Sequence, residues 1–172
     1  MSDRSPMQLR VYDVSPEDAP AVVQAIEDAC LDCPWDRGQA SPTALALGEL
    51  YGTDETPLGS AVELAAQLLA TAPSAAFVVW QDPHYTANGV YIAHVPGVGT
   101  YEAPCDVDGK PQLAVRDLIG HLSGLSASTS ASELLRDDPA FATACAVLAA
   151  VDALDERTAP NPAVRAAAGR AA

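Results

Sequence analysis

A chain of 172 residues and 17.7 kDa is the size of one domain, since a domain of roughly 150 residues already buries about 70% of its unfolded surface. Nine bases against 23 acids leave a formal charge of −14 and a pI near 4.2, which disfavours unaided binding to phosphate backbones or anionic lipid. The hydrophobic fraction of 49% is swollen by alanine and only 5% of residues are aromatic, so the core is expected mainly from Leu, Val and Ala.

The first ten residues carry an acid and no apolar run, so no secretory signal is expected. The longest uncharged stretch, Leu64 to Gln81, is broken by Gln67, Pro73 and Ser74 and reads as a helix end followed by a strand, not as a membrane span. A cytoplasmic location follows as the expectation, with the four cysteines reduced.

Residues 7–12 alternate apolar and polar side chains as a half-buried strand does. Ser15-Pro16-Glu17-Asp18 offers a capping hydroxyl, a proline for the first helical position and an acid at N3. The helix it opens carries Val22, Val23, Ile26 and Cys30 on one face until Pro34. Residues 34–43 read as a loop, and Leu45, Leu47, Glu49 and Tyr51 as a strand with a short helix in competition. Val62, Leu64, Ala65, Leu68 and Leu69 predict a second helix ending at Pro73.

Residues 76–80, 90–95 and 100–103, separated by turn signals at Asp82-Pro83, Asn88-Gly89 and Pro96-Gly97, predict a three-stranded antiparallel meander. Either face of the middle strand is a candidate for the core, because Tyr91, Ala93 and Val95 alternate with Val90, Ile92 and His94. Helical spacing resumes at Val115, Leu118, Ile119 and Leu122. A Ser-rich linker follows over 123–132, then a short helix with Leu134 and Leu135, and a last helix bearing Phe141, Cys145, Leu148 and Val151. The order predicts one α+β domain over 1–157, its mainly antiparallel sheet covered on one face by helices, with a helical C-terminal third and a frayed tail over 158–172.

The charge is regional. Residues 38–109 hold eight acids and neither lysine nor arginine, whereas residues 1–37 carry −5 and residues 110–172 carry −1. A surface of one sign steers encounter with an opposite one in a salt-dependent way, so the leading expectation is a small protein-binding module that occupies a basic surface on a partner protein, as inhibitor, immunity factor or nucleic-acid mimic. Its contact residues are expected among Glu49, Asp54, Glu55, Glu63 and Glu102, with Tyr85, Tyr91 and Tyr101 as an aromatic contact surface. The competing readings are acids that keep the chain soluble and tyrosines packed under helices. Direct nucleic-acid binding and membrane association are not expected, and monomer and homodimer both stay open.

Chemistry has two weaker candidates, and the balance leans away from an enzyme. Cys30 and Cys33 stand three apart, a spacing that lets two thiolates share one zinc if two further ligands approach, with His94 and Cys105 the nearest suppliers. Cys30 at a helix C-terminus would lack the dipole that favours a redox thiolate. Alternatively, Cys105 with His94 and Asp82 would make a small Cys/His hydrolase. No catalytic residue and no cofactor is assigned: GxxxxGK[ST], HExxH and GxSxG are absent, and Asp106-Val107-Asp108-Gly109 reads as a turn, not a calcium loop.

Overall fold

The computed structural model describes residues 3–32, 45–112 and 139–158. In chain order these form β1 (Arg4–Asp13), α1 (Ala19–Asp28), β2 (Leu50–Pro57), α2 (Ser60–Thr71), β3 (Ala76–Gln81), β4 (Gly89–Val95), β5 (Gly99–Cys105) and α3 (Pro139–Thr158). The strands make one sheet in the order β2-β1-β3-β4-β5 with every neighbouring pair antiparallel. The predicted meander is β3-β4-β5. β3 lies at the centre, and β1 is the interior strand beside it, its register satisfying both β2 and β3, with shifts between Ser5 and Met7 and between Val11 and Asp13 where the ladder slips by a residue.

Both faces of the sheet are core. The rows Leu9-Val79-Ile92 and Val11-Phe77-His94 point to one face, where α1 and α2 bury Val22, Ala25, Ile26, Leu64, Ala65 and Leu68 against them. The rows Gln8-Trp80-Tyr91-Ala103 and Arg10-Val78-Ala93-Tyr101 point to the other, where α3 packs Val147, Val151 and Leu154 onto Val78, Tyr91 and Ala93. The α+β class and antiparallel meander are therefore as expected, while helical cover is shared between two faces. The reason is legible in β3, whose Ala-Phe-Val-Val-Trp run is apolar on both sides and needs burial on both.

Element positions differ from the expectation in several places. β2 starts at Leu50, because Gly48 takes a positive φ of 77° and turns the chain where its amide meets the Val11 carbonyl. In α1 the buried stripe is Val22, Ala25 and Ile26, and Cys30 lies beyond the helix end. In α3 the buried stripe is Ala144, Val147, Val151 and Leu154, which turns Cys145 outward to solvent. The loop over 34–43, the helical spacing at Val115–Leu122, the Ser-rich linker and the helix around Leu134 fall outside the described residues, as does the chain after Thr158.

The N-terminus of α1 is tied to the segment before β3. The helix starts at Ala19, three residues later than the Ser15-Pro16 signal implied: residues 16–18 form a turn in which Ser15 Oγ accepts the Asp18 amide at 3.3 Å, and Asp18 reaches Ser74, its carboxylate accepting the Ser74 amide at 2.9 Å and hydroxyl at 2.7 Å. Those bonds hold the Asp18 carboxyl below the usual carboxylate range. The C-terminus of α1 closes differently. Cys30 adopts φ 53°, the Leu31 amide donates back to Ile26 O at 3.0 Å and the Cys30 amide to Glu27 O at 3.0 Å, the paired bonds of a helix end normally finished by glycine.

Candidate functional site: the acidic end of the sheet

Antiparallel order fixes which chain segments meet at each end of the sheet. β2, β3 and β5 finish at the end where β1 and β4 begin, so Pro57, Gln81 and Cys105 lie together with Arg4 and Gly89. Six of the eight acids in the base-free stretch gather here: Asp54 and Glu55 in the second half of β2, Glu63 in the first turn of α2, Asp82 just after β3, and Asp106 and Asp108 just after β5. Asp3 joins them, since its carbonyl accepts the Leu58 amide at 3.2 Å. The end spans four inter-strand steps, about 19 Å at ~4.8 Å each.

Among the described residues two bases share this end. Arg4 stands 3.9 Å from Glu55 and Lys110 3.0 Å from Asp108, all four side chains at least half exposed, so solvent screens both pairs and neither adds much to stability. Counting the described residues alone, these seven carboxylates against the two bases leave −5. Arg10, which pairs with Asp155 of α3 at 2.7 Å, takes no part.

Individual acids differ in what they are free to do. Asp106 shapes its turn, its Oδ1 accepting the Asp108 amide at 3.0 Å and the Lys110 amide at 2.9 Å. Burial raises the Asp82 carboxyl, with Asp108 adding to the rise and a Gln8 hydrogen bond opposing it. Asp54, Glu55, Glu63 and Asp108 are solvent-facing.

Apolar side chains stand among these acids. Tyr85, at the tip of the β3-β4 connection, is 93% exposed, and Val107, between Asp106 and Asp108, is 65% exposed. Tyr85 holds φ 48°, a conformation L residues avoid, while His84 and Ala87 bridge on either side and the His84 ring meets the phenol edge-on at 4.4 Å. The bridge thus presents the ring to solvent at a conformational cost of roughly 1–2 kcal/mol.

The other expected contact residues are dispersed. Glu49 is exposed at the opposite end of the sheet, before β2, and Glu102 is exposed halfway along the edge strand β5. Tyr91 is buried beneath α3 and meets the half-buried Tyr101 at 6.4 Å, so these two tyrosines are packing residues on the α3 face. Only Tyr85 of the three projects outward. Val107 was missed by pattern reading because a lone valine in an acidic turn carries no periodic signal; its exposure follows from the turn that Asp106 closes.

The thiol candidates separate. Cys30 is exposed at its helix end, Cys33 lies outside the described residues, and among the described residues no three His, Cys, Asp or Glu side chains converge as a metal site. Cys105 is buried, its thiol within 3.6 Å of the Gln81 carbonyl and pushed up to about 12, first by burial and then by Asp82 and Asp106. Cys105 pairs with Gly89, whereas His94 pairs with Thr100, five residues up β4 and about 17 Å away at ~3.4 Å per residue. His94 also faces α2 while Cys105 faces α3. The structure does not bring this nucleophile and base together.

Among the described residues no helix is long and apolar enough to cross a membrane. Compared with protein-family models, curated proteins and solved structures, the chain finds no match in any of the three.

Proposed function

We propose that this protein is a small acidic binding module that uses the end of its sheet to occupy a basic surface on another protein, in a cytoplasmic setting and without catalysis. The observation that carries the reading is the convergence of six acids, drawn from four separate chain segments, around an exposed tyrosine held in an unfavourable backbone conformation. Acids that served solubility alone would need no such gathering, and a tyrosine with no partner would gain nothing from strain. Tyrosine supplies broad contact area at small entropic cost, and a ring of carboxylates steers a cationic partner. Inhibitor, immunity factor and nucleic-acid mimic are three forms of the same chemistry.

The test is tagged co-purification from the native host at low and moderate salt, with wild type and Tyr85→Asn in parallel. The expected result is a cationic protein retained by wild type at low salt, lost at moderate salt, and held at least tenfold more weakly by the variant although the variant is the more stable fold, because asparagine tolerates positive φ. Equal retention by both, or a partner indifferent to salt, overturns the reading.

A further inference from the structure

Beside the acidic end, a groove of about 240 Å³ opens between the last turn of α1 and the first turns of α2, lined by Met7, Ala29 and Leu64 below and by Asp28, Glu63 and Gln67 at its sides. Its volume is below the roughly 300–1,000 Å³ of sites that enclose whole small molecules, and suits one long side chain. The walls are of one sign. Asp28 comes from the C-terminal turn of α1, which holds no basic residue and ends in Glu27 and Asp28, against the preference of a helix C-terminus for positive charge. Glu63 lines the same groove from α2, and Gln24 and Gln67 brace Asp28, donating to its two oxygens at 2.8 and 3.4 Å. The described bases lie elsewhere: Arg4 on Glu55, Arg10 on Asp155, Lys110 on Asp108, and Arg157 at the end of α3.

We infer that this groove receives an arginine side chain of the basic partner, its methylenes on Met7, Ala29 and Leu64 and its guanidinium between Asp28 and Glu63. The inference rests on the docking function proposed above and adds one specific contact to it. Charge complementarity selects a cation, and the number and layout of its donors select among cations. A planar guanidinium presents five donors to the acceptors that α1 and α2 contribute, while an ammonium is a compact, strongly hydrated group with three. The local cost of placing Glu27 and Asp28 at a helix C-terminus is offset when that charge arrives.

The experiment is an NMR titration of the full chain with N-acetyl-arginine-amide and, separately, N-acetyl-lysine-amide, following the Met7 methyl and the Ala29 and Leu64 amides. The arginine probe should saturate these signals with a Kd on the order of 1 mM, as expected of one side chain, the lysine probe should bind at least threefold more weakly, and Asp28→Asn with Glu63→Gln should reduce arginine binding at least tenfold. Both substitutions keep side-chain shape at exposed sites, and an unchanged amide spectrum elsewhere verifies the fold. Equal response to the two probes, or arginine binding unaffected by the double substitution, overturns the groove assignment. Partner capture that survives the double substitution while failing with Tyr85→Asn would sink the groove and spare the docking function; loss of all salt-sensitive capture with an intact arginine titration would do the reverse.

Discussion

Gly109 lies flat against the indole of Trp80: a Cβ at position 109 would stand 2.6 Å from Trp80 Cε2, and the residue holds φ 70°. This contact sets the acidic turn after β5 onto β3 and so fixes where Asp106, Val107 and Asp108 project. Gly109→Ala is expected to cost about 2–4 kcal/mol, combining left-handed strain with overpacking against the ring. Gly97, with φ 77° and open space around it, is the control: Gly97→Ala should lose only about 1 kcal/mol. Urea unfolding of the two variants measures the difference.

Gln81 is the buried fastener of the same end. Its Nε2 donates to the Pro57 carbonyl at 2.8 Å and its Oε1 accepts the Gly59 amide at 2.9 Å, joining β3 to the turn that starts α2. Gln81→Leu fills similar space but leaves those backbone groups unpaired, so a loss of about 2–3 kcal/mol is expected in denaturant unfolding.

Cys30→Gly should stabilise the protein by about 0.5–1 kcal/mol, because relief of the left-handed strain, ~1–2 kcal/mol, exceeds the added freedom of the unfolded chain, ~0.4–1 kcal/mol. Thermal unfolding reads this directly. A role for Cys30 as metal ligand predicts the opposite sign, with a loss that metal addition accentuates.

Acid titration should separate two carboxyls. Ser74 holds Asp18 below its ordinary range, so the stability Asp18 confers is complete above its unfolded value and disappears as pH falls through the depressed folded value. Ser74→Ala should therefore lower the urea midpoint at pH 7, and the deficit should shrink on acidification. Asp82 is raised by burial, so its ionised form burdens the fold above the raised value, and that burden lifts as pH falls toward the unfolded value. Asp82→Asn should be stabilising at pH 7 with an advantage that fades in acid.

The strands were legible where side chains alternate or run apolar: β3, β4 and β5 stand within two residues of their expected bounds, because turn residues flank each of them. The second helical layer was harder to read. Ala144 and Val147 bury themselves while Cys145 faces out, and in so alanine-rich a helix small residues on several sides offer similar apolar stripes. Tertiary contact with β5, where Thr143 approaches Gly99, selects among them. The charge of the candidate site was visible as a base-free stretch, but its location was not. Glu49 and Glu102 belong to that stretch yet lie away from the acidic end, since only strand order decides which segment ends meet.

The most direct measurement is retention, by two triple variants of equal charge, of the cationic partner that the proposed function requires. Asp54→Lys, Glu63→Lys and Asp108→Lys change exposed acids at the acidic end; Glu17→Lys, Glu49→Lys and Glu156→Lys change exposed acids away from it, and each set moves the chain from −14 to −8. Loss of capture by the first set with capture kept by the second is the predicted result. Equal capture by both, with both folded, would contradict a binding surface at that end.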